Sequence, residues 1–137
     1  MSIPTDFVAR PLAGRVLAPE GDRDFVLAEW TDDGARPNEL IAPPHLHLAD
    51  DEAWYVLEGT LRVRLGDDEI EAPAGTAVLG PRGTPHTYWN PGPGPARYLL
   101  VMRPRTWQLL EALHDGSERD ARALRDLFLA YDVELRT

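Results

Sequence analysis

Pro44-His45-Leu46-His47-Leu48-Ala49-Asp50-Asp51-Glu52, residues 44–52, decides how this chain is read. His45 and His47 are two residues apart, and on a strand such residues point to the same face. Both imidazoles can therefore reach one point in space. Glu52 follows after the short acidic turn Ala49-Asp50-Asp51. Neutral imidazoles beside a carboxylate suit a first-row divalent metal ion. A further histidine, His86, arrives on a later strand, where a barrel interior allows a fourth ligand. A lone His-x-His pair is a weak signal, because such pairs occur by chance on exposed strands. The spacing to Glu52 and His86 gives it weight.

Outward from this stretch the chain is a series of short apolar runs punctuated by turns. They are Asp24–Trp30, Ala53–Glu58, Leu61–Leu65, Thr76–Leu79 and Arg97–Met102. Leu61, Val63 and Leu65 alternate with Arg62 and Arg64, the pattern of a strand with one face in a core and one in water. Glu58-Gly59-Thr60 and Gly66-Asp67-Asp68 read as tight turns. Asn90-Pro91-Gly92-Pro93-Gly94-Pro95 is a loop, since its prolines exclude both a central strand and a helix. Thirteen prolines and eleven glycines fit many short strands, hence a sandwich or barrel. The C-terminal part differs. A helical stretch around Thr106–Leu113 precedes a helix that Ser117 caps, with Asp120 three residues on. Ala121, Leu124, Leu127, Phe128 and Tyr131 then recur at helical spacing. The expectation is one domain over 1–137, with a barrel at about 6–103 and an amphipathic tail at about 104–132 packed outside it.

Composition removes several functions. The sequence has 137 residues, enough for one domain with its own core, and its 43% hydrophobic content is ordinary. The net charge of −9 disfavours nucleic acid as a partner. No apolar run approaches the roughly 20 residues that span a bilayer. Met1–Arg10 shows no basic start followed by an apolar stretch, so a cytoplasmic protein is expected. With no cysteine, thiolate nucleophiles and Cys-based metal sites are excluded. All basic residues are arginine, which removes Schiff-base chemistry. The two serines, Ser2 and Ser117, make a serine hydrolase a poor candidate.

His45-x-His47, four residues, Glu52, six residues and Gly59 resemble most of the first motif of the cupin superfamily. Gly75, five residues, Pro81-x-Gly83, two residues, His86, three residues and Asn90 resemble its second motif. The spacing of the two motifs is similar to that of small single-domain bacterial cupins, including quercetinase-like ones. One departure stands out: Glu39 occupies a position six residues before His45 where the motif has glycine. The resemblance implies an all-β, double-stranded β-helix (a jelly-roll barrel). It implies one divalent transition metal (Fe, Mn, Ni, Co, Cu or Zn) on His45, His47, Glu52 and His86. It favours a dioxygenase acting on a small enol- or catechol-like substrate, with Glu52 as ligand and base. A non-redox isomerase, lyase or cyclase, and a binding protein without turnover, stay open as alternatives. It further implies a homodimer paired through N-terminal strands, for which Asp24–Trp30 offers an apolar segment.

The remaining motif residues have simple physical readings. Gly59, Gly75 and Gly83 fit turns where a side chain would obstruct the backbone, and Asn90 satisfies turn backbone groups. By alternation Trp54 shares a face with Glu52, and Tyr88 with His86. Both are candidates for a substrate pocket, against plain core packing. His114, near the end of the first helical stretch, is expected to meet the last helix carbonyls and not a metal. Arg82 and Arg97 read as surface residues before anion-binding ones.

Overall fold

A computed structural model describes residues 5–136; Ser2, and part of the Met1–Arg10 leader reading, lie outside them. Two antiparallel five-stranded sheets face each other. The strands are β1 (Val16–Leu17), β2 (Val26–Asp32), β3 (Leu40–His47), β4 (Glu52–Glu58), β5 (Thr60–Leu65), β6 (Asp68–Pro73), β7 (Ala77–Gly80), β8 (His86–Trp89), β9 (Ala96–Met102) and β10 (Val133–Leu135). One sheet runs β1-β2-β9-β4-β7, and the other β10-β3-β8-β5-β6. This is the double-stranded β-helix.

Each of the five apolar runs holds a strand, though Asp24, Phe25 and Thr76 fall just before theirs, and the Asn90–Pro95 segment is a loop. Leu61 and Val63 are fully buried, whereas Arg62 and Arg64 stay partly or wholly in water. The core between the sheets is built from inward positions on facing strands: Trp54 and Val56, Leu61 and Val63, Tyr98, Leu100 and Met102. β6 was not legible, since only Ile70 and Ala72 among its six residues are apolar and core-facing.

The tail differs from its expected form in two ways. Its helices are α1 (Pro104–Leu113) and α2 (Ala121–Ala130), but the cap of α2 is Asp120, not Ser117. Asp120 Oδ1 accepts from Ala123 N at 2.8 Å. Ser117 instead donates its own N–H to Asp115. The tail also does more than pack outside the barrel. After α2 the chain adds β10, which pairs with β3 at Val133↔His47 and Leu135↔His45. Leu109, Phe128 and Val133 bury a second, smaller core, and the Arg105–Asp132 ion pair ties α1 to the turn before β10.

Candidate metal centre and its cavity

β3 carries His45 and His47 on its inward face, and β8 brings His86 directly across from His45. Glu52 opens β4, opposite Gly80 of β7. All four side chains are buried, and one ligand atom from each lies within 4.8 Å of the others. The backbone fixes which atoms face inward. His45 Nδ1 lies 2.6 Å from Pro43 O, and His86 Nδ1 lies 3.1 Å from Thr84 O. A carbonyl only accepts, so each Nδ1 carries a proton and Nε2 is the ring nitrogen turned toward the site. His47 Nδ1 faces Thr106 Oγ1 of α1 at 3.5 Å. Fixing a ligand histidine through its second nitrogen is how metal sites hold their tautomers.

The donors also fit an ion by what they lack. His47 Nε2 and His86 Nε2 are buried without an aligned hydrogen-bond partner, at 3.5 Å and 3.4 Å from the Glu52 oxygens. Orphaned buried polar atoms are costly, roughly 1–3 kcal/mol each. A cation among them removes that cost. Burial, then the neighbouring His86 ring, lowers the His45 pKa to about 4, so that imidazole is neutral at physiological pH. Burial alone would raise Glu52, but the nearness of His47 and His86 outweighs it and brings the carboxyl down to about 2. Neutral imidazole and ionised carboxylate are the states that bind a divalent ion.

Above the donors lies a cavity of about 290 Å³, lined by residues that include His45, His47, Glu52, Tyr88, Tyr98, Trp30 and Asp32. Tyr88 OH and Tyr98 OH are 3.2 Å apart. Burial pushes Tyr88 well above the usual phenol range, and burial takes Tyr98 to about 12. Both stay protonated, and because one O–H serves the other, one remains to donate to a ligand. Asp32 Oδ1 accepts from Gly34 N and from Asn90 Nδ2. Asn90 also donates to Gly94 O and accepts from Gly92 N, which holds the Pro-Gly loop.

Trp54 and Tyr88, paired as pocket candidates, part company here. Tyr88 lines the cavity and Trp54 does not. A Cβ on Gly80 would sit 2.9 Å from the Trp54 ring, so the indole occupies the space that a β7 side chain would take, and it fills the core. His114 caps α1 through its backbone N–H; it is no ligand, but it lines the cavity 6.5 Å from Trp30. Arg82 pairs with Asp51, and Arg97 with Glu29 and Glu58; neither lines the cavity. Tyr98, Asp32 and the roof residues of α1 and α2 were missed. For Tyr98 a signal existed, the strict alternation of Tyr98, Leu100 and Met102 along β9.

Three histidines and a glutamate converging inside a two-sheet barrel define a metal-site β-barrel. The chain is a small cupin: the cupin-domain family model matches residues 35–102. Curated proteins yield no match to the sequence. Among solved structures, the TT1209 protein of Thermus thermophilus is 28% identical; 62% of this chain aligns with 77% of that one at a TM-score of 0.53. An uncharacterized double-stranded β-helix protein of Klebsiella pneumoniae is 27% identical over 59% of this chain and 64% of that one, TM-score 0.51. A sugar phosphate isomerase from a cupin superfamily, of Silicibacter pomeroyi, is 25% identical over 61% of this chain, TM-score 0.52. This chain spans only 52% of that protein.

Proposed function

We propose that this cupin is a metal-dependent dioxygenase acting on a small enol- or catechol-like organic molecule. The observation that carries the reading is a buried His45, His47, Glu52, His86 set at the foot of a largely apolar cavity. A divalent ion held there supplies a Lewis acid and, if redox-active, a route for electrons between an organic substrate and dioxygen. The protein's own groups do the rest. Glu52 is placed to take the proton of an incoming substrate hydroxyl. The free phenol O–H of the Tyr88–Tyr98 pair donates to a substrate oxygen and orients it. The apolar walls keep bulk water away from the donors.

A non-redox isomerase, lyase or cyclase is the second reading. The juxtaposition of Glu52 and a protonated tyrosine pair, a base and a hydrogen-bond donor on one cavity, favours it. Oxygen uptake by the metal-loaded protein with flavonol and catechol-like substrates separates the two. Glu52→Gln with metal retained is expected to abolish turnover; unchanged turnover removes Glu52 as base. The reading takes residues 1–137 as one unit in the cytoplasm. It also has two copies pair through N-terminal strands at the Asp24–Trp30 segment, where Phe25, just before β2, is 63% exposed. A sedimentation mass near the 15.3 kDa of one chain would contradict the pairing. No helix among the described residues is long and apolar enough to cross a membrane.

A further inference from the structure

The cavity has a roof that the barrel does not supply. Thr106, Leu109, Leu110, Leu113, His114 and Phe128 line it, and all six come from the tail, beyond the matched residues 35–102. Four of the six are large and apolar. The Phe128 ring stands edge-on to His45, centroids 6.3 Å apart, so the roof closes directly over the donors.

Its charge is equally telling. None of the fourteen basic residues, all arginine, lines the cavity. The arginines nearby are spent outward, on Asp51, Glu29, Glu58, Asp50 and Asp132. The fixed charges that do face inward are the carboxylates Glu52 and Asp32. A divalent ion would only balance these two. An anionic ligand would therefore leave water without a guanidinium or ammonium to receive it, which is costly in an apolar site.

We propose that the C-terminal tail makes this site selective for an uncharged, mostly apolar ligand and against phosphorylated or otherwise anionic ones. This deepens the proposed function and rests on the same cavity, but it does not depend on oxygen chemistry or on the metal. It also sets this chain apart from what a sugar phosphate site requires, namely bound cationic side chains for the phosphate.

Two probes that differ by one group test it. N-phenyl-1-naphthylamine is neutral; 8-anilino-1-naphthalenesulfonate has the same skeleton plus a sulfonate. Both brighten in apolar surroundings, and neither needs a metal. Fluorescence titration is run on metal-free protein in about 0.5 M salt, which screens the overall charge of −9. The expected result is one neutral-probe site per chain and at least tenfold weaker sulfonate binding. Leu110→Arg, or Leu113→Arg should the first fail to fold, is expected to weaken the neutral probe tenfold and strengthen the sulfonate. Leu79→Arg, on the exposed outer sheet face, is expected to change neither. Equal or tighter sulfonate binding by the unaltered protein overturns the inference. So does loss of neutral-probe binding in Leu79→Arg but not in the roof variants. If the probes behave as expected and no substrate draws oxygen, the dioxygenase reading fails alone. If oxygen uptake is found but the probe preference is reversed, the selectivity inference fails alone.

Discussion

Gly59 closes the first sequence motif and Gly75 opens the second, yet alanine should affect them very differently. Both have left-handed backbone, φ +75° and +89°. That conformation costs a non-glycine residue about 1–2 kcal/mol, offset by roughly 0.4–1 kcal/mol from the stiffer unfolded chain. Gly75→Ala should therefore lose about 1 kcal/mol, because nothing lies within 4 Å of the new Cβ. At Gly59 the Cβ would overlap the Pro95 carbonyl and stand 2.9 Å from Ala96 Cα. These are backbone atoms at the start of β9 and cannot rotate away. Overpacking of this kind adds about 1–3 kcal/mol, so Gly59→Ala should lose about 2–4 kcal/mol. Urea unfolding of the two variants in metal-free buffer reads the difference directly. β9 also carries Tyr98 and Leu100 into the cavity, so oxygen uptake should fall further in Gly59→Ala than in Gly75→Ala. Equal destabilisation of the two would refute the close approach of Gly59 to β9. Gly83, like Gly75, has open space around its Cβ; at those two positions backbone conformation, not obstruction, accounts for the glycine.

Three further outcomes follow from the site. A divalent ion at about 100 times its dissociation constant should stabilise the stripped protein by about 2.7 kcal/mol, raising the thermal midpoint by several degrees; a midpoint unmoved by Fe, Mn, Co, Ni, Cu and Zn alike means no metal is held. Thr106→Val should weaken metal binding about tenfold in a chelator competition, because it frees the second nitrogen of His47 while leaving the four donors in place; unaltered affinity would show that the 3.5 Å contact orients nothing. His45 takes up its proton at about 4 in the folded protein and at about 6.5 when unfolded. The unfolded state binds more protons between those values, so stability held above pH 6.5 is lost as the pH falls toward 4, by about 3 kcal/mol at about 1.36 kcal/mol per unit. In metal-free protein His45→Asn should flatten that slope, and an unchanged slope in the variant would place its origin elsewhere.

The four donors were legible because two kinds of order meet in them. Strand parity puts His45 and His47 on one face, and the motif spacing brings Glu52 and His86 to the same end of the barrel. Parity has a limit, which Trp54 and Tyr88 expose. It says which face a side chain takes but not how far along the barrel its bulk reaches. Tyr88 meets Tyr98 at the cavity, whereas the indole of Trp54 slides over Gly80. The glycine that makes this possible lies on another strand, so nothing local to Trp54 announces it. β6 escaped for the opposite reason. It pairs with β5 alone, an edge strand whose outer face is free to be acidic, so its apolar alternation is reduced to Ile70 and Ala72.

The tail was the hardest part to read, and its physics explains why. Helical periodicity identifies Leu124, Leu127 and Phe128 as a buried stripe but is silent on what they are buried against. That is decided by a three-residue strand, Val133–Leu135, too short to stand out in the sequence. Its ladder to His47 and His45, with Leu48 N bonded to Asp132 O and Arg136 N to Pro44 O, pins the end of α2 to the strand that carries two of the donors. Phe128 and Leu109 then cannot lie on the barrel flank; they must sit over the open end. The same ladder makes roof and donor strand one mechanical unit. A register slip of β10 would withdraw Phe128 from the cavity and disturb His45 and His47 together, whereas a change of roof side chain alone alters the cavity and leaves the donors where they are. The fold thereby separates two tasks: the barrel positions the four donors, and the tail decides what reaches them.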